Sequence, residues 1–306
     1  MHVVIHDGAF HSDEVTAVAI LRLSTPDLTY ARSRRPEVID AADVVFDVGG
    51  KYDPDTGRFD HHQIEGAGAR PTGIPYASAG LSWRHFGARA IRALEPDLDP
   101  DQVSNMYFSI DATFIANIDA VDCGVDVPGP FRFGYSNLVG GFNPGWRDDR
   151  SDDAYLAAFE RATRFAEQAL RNLIRDVADG ILGAKIVREI YAATPTADKA
   201  ILVLDSYVPW SSVVTRECPK VQFVVFPDMG GGWRLRAVRK RVDSYASRRD
   251  LPEAWAGLEW QALDAVTGVP GGTFCHRGRF IAGHATRDGA LALARRALAD
   301  AGKRRG

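Results

Sequence analysis

Two short stretches decide the fold class: the apolar strand Val44-Val45-Phe46 ending in Asp47, and Phe59-Asp60-His61-His62-Gln63 a few residues later. Each lies where a predicted strand gives way to a loop, and His6-x4-His11-x-Asp13 follows the first predicted strand in the same way. Open α/β sheets bind ligands beyond the carboxyl ends of their strands. The pattern therefore predicts an α/β domain with polar side chains gathered at one edge of a sheet.

The first half of the chain alternates short apolar runs with helical patterns, which is typical of βαβ units and a mainly parallel sheet. The turn signal Asp53-Pro54-Asp55-Thr56-Gly57 predicts a tight hairpin from which the Asp-His-His triplet emerges. The stretch 131–153 is expected to form a long ordered loop. The predicted strands are 3–5, 28–31 and 44–48, and the predicted helices are 14–23, 78–94 and most of 101–122.

A second alternating pattern begins after Pro195 and predicts a separate, smaller α/β domain. Its predicted strands are 200–204, 221–226, 233–238 and 279–282, and its helices are 210–217 and 287–299. The stretch between the two patterns is helical, with interruptions expected near Gly180 and Gly183. We expect a catalytic domain at 1–150, a helical connector at 151–195 and a substrate-binding domain at 196–306, with the active site in the cleft between the domains.

The composition is that of an ordinary globular protein of 306 residues, with 45% hydrophobic and 25% charged residues. A formal charge of −3 argues against a protein that coats nucleic acid through overall basicity, but it allows a local basic groove. The three cysteines are far apart and predict neither a disulfide framework nor a zinc knuckle. We therefore expect a reducing compartment and a cytoplasmic enzyme.

The residue types at the predicted sheet edge point to metal binding. Imidazole and carboxylate groups hold Mn, Zn, Co or Fe, and several carboxylates with two or three imidazoles suit a two-metal site. Taken singly, each motif has an ordinary explanation, because Asp13 near a helix N-terminus is favourable without a metal and acidic residues often end strands. Together with the acidic pair Asp119 and Asp122 before Gly124, they favour a metal site.

In this order, the motifs resemble those of the DHH phosphoesterase superfamily, and more closely those of the melanocyte-proliferating-gene-1-like exonuclease family within it. The resemblance runs through nearly the whole chain. Its longest segments are Asp7-Gly8-Ala9-Phe10-His11-Ser12-Asp13-Glu14, Asp47-Val48-Gly49-Gly50, Arg58-Phe59-Asp60-His61-His62-Gln63, Ile118-Asp119-Ala120-Val121-Asp122, Gly141-Phe142-Asn143-Pro144-x-Trp146 and Leu251-Pro252-Glu253-Ala254-Trp255.

The resemblance implies two divalent ions. The nearby imidazoles, with His11 where relatives have Asp, favour Mn, and Co, Zn or Mg are the alternatives. It assigns one ion to His6, His11 and Asp47, and it assigns the other to Asp13, Asp47, His61 and Asp122. Asp119 competes with Asp122 for the last ligand position. His62 would face a phosphate, since adjacent histidines are expected to point in different directions. Asp60 would orient His61 or His62. The chain departs from the superfamily at His11, where most members have Asp.

A second region of interest is the glycine-rich segment 271–280, which contains His276 and Arg277. It resembles the substrate-binding part of the DHH-associated domain, and these two side chains suit a phosphate or carboxylate. The alternative is a basic hairpin with its phenylalanines in the core. A further basic stretch at 233–250 suits single-stranded nucleic acid, but it also suits a protected edge strand, and the edge strand is favoured for most of its residues.

The function expected from the resemblance is metal-dependent phosphodiester hydrolysis, as a 3′–5′ exonuclease acting on short single-stranded RNA or DNA. Two alternatives stay open: a small-molecule phosphoesterase or pyrophosphatase, and a non-catalytic metal- or nucleotide-binding regulatory protein. No membrane partner is expected. The oligomeric state stays open, and a homodimer is one of the alternatives.

Overall fold

The computed structural model describes residues 1–125 and 134–300 and divides the chain into two compact units, Met1–Ala178 and Asp179–Gly306. Each unit contains one five-stranded sheet with helices, so the predicted α/β class is confirmed. In the part of the chain that is described, no helix is both long enough and apolar enough to cross a membrane.

Unit 1 has a mainly parallel sheet, as predicted. The strand order is β2-β1-β3-β5-β4, in which β4 is antiparallel to β5 and the other neighbours are parallel. The strands are β1 (His2–Ile5), β2 (Thr29–Arg32), β3 (Val44–Phe46), β4 (Tyr52–Asp53) and β5 (Arg58–Phe59). The predicted hairpin is the β4–β5 pair, where Gly57 has a φ of 72° and an added Cβ would lie 2.3 Å from the Asp43 carbonyl oxygen.

The helices of unit 1 cover the sheet and fill the remainder of the unit. They are α1 (Ser12–Ser24), α2 (Pro36–Asp40), α3 (Ser78–Leu94), α4 (Pro100–Ile110), α5 (Ala116–Asp122), α6 (Tyr135–Gly140) and the first part of α7 (Asp152–Ala193). A π-helical segment, Asp111–Ile115, joins α4 to α5. Alternate side chains of β1 and β3 face opposite sides, so Val4 and Val45 pack with Ile39 of α2.

Two sequence predictions in this part of the chain were wrong. The stretch 131–153 contains α6 instead of a continuous loop, because Tyr135 and Ser136 hydrogen-bond to Thr16 and Ser12 of α1 and hold the segment against it. Residues 131–133 of that prediction lie outside the described residues. The expected interruption of the long helix is also absent from α7, which runs through all 42 residues.

Glycine accounts for the second error. A glycine in a helix interior costs only about 1 kcal/mol relative to alanine, which a long packed helix tolerates. Gly183 also has a packing role, since an added Cβ would lie 2.9 Å from Cδ of Pro209. Gly183 therefore lies at a close approach of α7 to Pro209 and does not end the helix.

Unit 2 has the strand order β6-β7-β8-β10-β9, with β6 and β7 parallel and the other neighbours antiparallel. Alternation along the central strand β7 places Phe223 and Val225 in one hydrophobic core and Val224 and Phe226 in another. Its elements are β6 (Ile201–Val203), α8 (Ser211–Glu217), β7 (Phe223–Pro227), β8 (Trp233–Ala237), α9 (Trp260–Thr267), β9 (Gly272–Cys275), β10 (Ile281–His284) and α10 (Arg287–Ala299).

Candidate metal centre

Three parallel strands bring the predicted ligands of unit 1 together. His6 follows β1, Asp47 follows β3, and Asp60 follows β5, and these strands are neighbours that run in the same direction. Their carboxyl ends therefore meet at one edge of the sheet. Asp47 has a φ of 57°, a left-handed conformation that is uncommon outside glycine and that clusters at functional sites.

One group of donor atoms forms where β1 meets the start of α1. Ligand atoms of His6, His11, Glu14 and Asp47 all lie within 4.8 Å of one another. Nε2 of His6 is 2.9 Å from Oε1 of Glu14 and 3.4 Å from Oδ2 of Asp47. Glu14 was missed by the sequence analysis, although the capping-box pattern gives a signal for it: its carboxylate accepts a hydrogen bond from the backbone N–H of His11, at the N-terminus of α1.

The second group lies beside the first and shares Asp47 with it. Ligand atoms of Asp47, Asp60, His61 and His62 lie within 4.8 Å of one another. Nδ1 of His61 is 3.5 Å from Oδ1 of Asp47, and its Nε2 is 3.2 Å from Oδ2 of Asp122. Asp47 therefore contributes to both groups, as a bridging ligand would.

The two adjacent histidines do not point in different directions, which corrects the reasoning that separated their roles. Their rings stack, with centroids 4.3 Å apart and an interplanar angle of 29°. The cause is Asp60, whose Oδ1 accepts hydrogen bonds from the backbone N–H groups of both residues and curves the chain. Their solvent exposure distinguishes them instead, since the side chain of His61 is 11% exposed and that of His62 is 62% exposed.

Asp60 holds the loop and the His62 ring in place. Its Oδ1 is 2.7 Å from Nδ1 of His62, and its Oδ2 accepts a hydrogen bond from the N–H of Gly50. Burial alone would raise the pKa of Asp60, but these hydrogen bonds outweigh it and hold the pKa below its ordinary value. Asp60 is therefore a carboxylate at neutral pH, and it leaves Nε2 as the ring nitrogen of His62 that can meet a ligand.

The remaining predicted carboxylates of unit 1 have different surroundings. Asp122 faces His61, whereas Asp119 accepts hydrogen bonds from Arg70 and from the N–H of Gly80. Asp13 is fully buried and accepts hydrogen bonds from the N–H groups of Ser78 and Ala79 at the start of α3. The structure thus places Asp122 beside the histidines and Asp13 at a helix N-terminus, and the role of Asp13 as a ligand stays a prediction.

The charges of the site are those of a cation-binding centre. Burial would lower the pKa of His6, but hydrogen bonds to Asp47 and Glu14 raise it to about 10. Burial raises the pKa of Asp13, and the charges of Asp47 and Asp122 raise it further. Cys123 lies within 4.8 Å of His61 and Asp122, but burial raises the pKa of its thiol to about 12. The thiol is therefore protonated at neutral pH without metal, as the ring of His6 is.

Two unpaired atoms show that the residues present fit a metal. Among the described residues, Oδ1 of Asp47 and Nδ1 of His61 are buried and have no hydrogen-bond partner. Buried polar atoms are almost always paired, and a cation near both would pair them. Mixed imidazole and carboxylate donors suit Mn, Co, Zn or Fe.

The predicted substrate-binding residues lie in unit 2, at the tip of the β9–β10 hairpin. His276 and Arg277 are both exposed, and the turn is closed by a hydrogen bond from the N–H of Arg279 to the carbonyl of His276. Nδ1 of His276 accepts a hydrogen bond from the N–H of Gly278, and its ring lies 4.5 Å from that of Phe280.

Comparison with known proteins identifies the family. The model of MYG1_exonuc, described as "Uncharacterised protein family (UPF0160)", matches residues 2–298. The chain belongs to this family. It is similar to the MYG1 exonuclease of Homo sapiens, with 34% identity over 320 residues that cover 96% of this chain and 85% of the human protein. It is also similar to a MYG1 protein of Schizosaccharomyces pombe, with 33% identity over 97% of each chain.

Among solved structures, this family member is similar to RecJ from Thermus thermophilus in complex with Mn2+. The TM-score is 0.27 and the identity 15%, over 98% of this chain and 52% of the RecJ chain. The chain thus spans about half the length of that protein.

Proposed function

We propose that this protein is a divalent-metal-dependent phosphodiester hydrolase that removes nucleotides from the 3′ end of short single-stranded RNA. The observation that carries the proposal is Asp47, which faces two adjoining donor groups and has a buried oxygen without a partner among the described residues. Relatives that bear the name MYG1 exonuclease support the choice of a nucleic acid substrate.

In this proposal, His6, His11 and Asp47 hold one ion. Asp47, His61 and Asp122 hold the other, with Asp13 as a further predicted ligand. When bound, such ions supply a water-derived nucleophile at neutral pH and offset the charge of the attacked phosphate. Mn is the expected metal because imidazoles supply three of these ligands, and imidazole binds softer ions than Mg.

His62 acts on the substrate. Because Asp60 occupies its Nδ1, the exposed ring can exchange a proton with a phosphate oxygen or the leaving oxygen only at Nε2. Asp60 also fixes the direction of the ring, which removes the cost of orienting it during the reaction. His276 and Arg277 are proposed to bind a phosphate or a terminal group of the substrate, as charge-assisted donors do.

The test uses metal-stripped protein with Mn, Co, Zn or Mg added back singly. Short RNA and DNA labelled at the 5′ or 3′ end, pyrophosphate and bis-p-nitrophenyl phosphate are the substrates. The proposal expects stepwise shortening of 5′-labelled RNA, fastest with Mn. Release of phosphate from pyrophosphate alone would instead establish the small-molecule activity, and metal binding without turnover of any substrate would establish the regulatory alternative.

Two variants sharpen this test. Replacing both His276 and Arg277 by alanine is expected to raise KM for oligonucleotides about tenfold or more, the value of one to two charge-assisted hydrogen bonds, with metal content unchanged. Arg295→Ala, an exposed position on α10, is the matched control. The cytoplasmic location stays a prediction, which cell fractionation tests.

A further inference from the structure

An exposed tryptophan projects from a rigid turn of unit 1. Trp146 is 82% exposed in the described part of the chain. The turn that carries it, Gly145–Asp148, is closed twice: the N–H of Asp148 donates to the carbonyl of Gly145, and the N–H of Gly145 donates to the carboxylate of Asp148. Tryptophan is highly buried on average, so a fixed turn that holds an indole in water points to a ligand.

The turn is tied to the residues next to His11. Asn143 pairs with the backbone of Phe10 in both directions, since its Oδ1 accepts from the N–H at 2.9 Å and its Nδ2 donates to the carbonyl at 2.8 Å. On the other side of His11, Ser12 donates a hydrogen bond to Ser136 of α6. Ser136 and Asn143, which precede Trp146 in the chain, therefore contact the residues on both sides of His11, a predicted metal ligand.

Chain length limits how far the indole can lie from this ligand. Trp146 follows Asn143 by three positions along the chain, a step that spans at most about 11 Å. Asn143 itself contacts Phe10, which precedes His11. The indole therefore lies within the length of a few nucleotides from the metal centre.

The charges around the indole favour a stacking ligand over a purely ionic one. The guanidinium of Arg147 lies 5.2 Å from the centre of the Trp146 ring. Asp148 and Asp149 follow directly in the sequence and balance the charges of Arg147 and Arg150, so net attraction of a polyanion is weak here. An aromatic face beside a guanidinium instead suits a flat, polar ring attached to a phosphate.

We propose that Trp146 is a stacking platform for an unpaired nucleobase of the substrate, with Arg147 beside the adjoining phosphate. This inference rests on the proposed nuclease function and extends it by placing a base-binding subsite within a few nucleotides of the metal centre. Stacking tolerates any base, so the subsite sets a minimum substrate length instead of a sequence preference.

The experiment measures kcat and KM of the Mn-loaded protein on short RNA and on the same RNA with one abasic nucleotide at successive positions. Trp146→Ala is expected to raise KM about tenfold on intact RNA, with kcat and metal content unchanged. Trp146→Phe keeps an aromatic face and should restore most of the affinity. At one abasic position, wild type and Trp146→Ala should become equal, which loss of structure alone would not produce.

Trp260→Ala is the matched control, because Trp260 is also exposed, at 64%, and lies in unit 2. Equal KM values for wild type and Trp146→Ala on every intact RNA would overturn the inference and leave the nuclease function standing. An equal loss on intact RNA and on all abasic substrates would also overturn it. Binding of labelled RNA to the His62→Ala protein is measured in parallel. If the wild type does not hydrolyse RNA and the His62→Ala protein does not bind it, the proposed function and the subsite are both contradicted.

Discussion

Arg70 and Asp119 form a buried ion pair, with Nη1 of the arginine 2.7 Å from Oδ2 of the aspartate. Asp119 and Asp122 are three residues apart on α5, so their side chains lie on the same face of the helix. Both oxygens of Asp119 have partners, because the second one accepts a hydrogen bond from the N–H of Gly80. Asp122 is the carboxylate that contacts His61. The contact with Arg70 therefore gives Asp119 a structural role and leaves Asp122 as the candidate ligand.

The first prediction concerns this pair. Arg70→Ala is expected to lower the free energy of unfolding by about 3–5 kcal/mol, because it leaves the fully buried Asp119 without its counter-charge. Asp111 would also lose two hydrogen bonds from Arg70. Urea denaturation of metal-free protein measures the change. Arg175→Ala, an exposed position on α7, should stay within about 0.5 kcal/mol of wild type, and a similarly small change for Arg70→Ala would contradict the prediction.

The second prediction concerns the bridging role of Asp47. Asp47→Ala is expected to lose both ions, since its two oxygens face the two donor groups. Elemental analysis after dialysis against Mn measures the metal content. Asp55→Ala, an exposed carboxylate in the β4–β5 turn, is the control and should keep both ions. Full metal content in Asp47→Ala protein would exclude the bridge.

The third prediction separates the adjacent histidines by depth. His61→Ala is expected to reduce metal content, because the buried ring lies between Asp47 and Asp122. His62→Ala should keep its metal and lose turnover by about 10²-fold or more, as loss of a group that moves a proton does. Metal content and kcat are measured on the same preparations. Metal loss in His62→Ala protein with normal content in His61→Ala protein would reverse the assignment.

The fourth prediction concerns protons. The raised pKa of His6, about 10 against an ordinary value of 6.5, means that the ring is protonated at neutral pH without metal. A metal needs the neutral ring, so binding should release protons. Calorimetry at one pH in buffers of different ionisation enthalpy measures that release. Glu14→Gln removes one of the charges that raise the pKa and can keep the capping box, so the variant should release fewer protons.

The raised pKa of His6 also predicts how the free energy of unfolding changes with pH. The folded pKa of His6 lies above the unfolded value, so its contribution is fully present below pH 6.5 and is lost as the pH rises towards about 10. Metal-free wild-type protein should therefore lose stability across this window, and Glu14→Gln protein should lose less. A metal-free protein whose free energy of unfolding is flat or rises over this range would contradict the assignment.

Much of unit 1 followed from local pattern. Apolar runs and their lengths predicted β1, β2 and β3. Helix α3 has the predicted bounds, because its sequence is strongly amphipathic. The turn residues predicted the β4–β5 hairpin. The missed helix α6 and the wrongly expected interruption of α7 are both explained by tertiary contacts. Helix α6 is held by hydrogen bonds to α1, and Gly183 allows a close contact with Pro209.

The sequence by itself determined which residue types gather beyond the strand ends. The reason is that each strand and the residues after it can be recognised locally, and parallel strands place their carboxyl ends at the same edge of the sheet. Only the tertiary structure decided the surroundings of each group. It placed Glu14 beside His6, directed Asp119 to Arg70, set Asp13 on the N–H groups of α3, and stacked His61 on His62. A buried carboxylate needs a partner, and residues far away in the sequence supply that partner, so local spacing cannot name it.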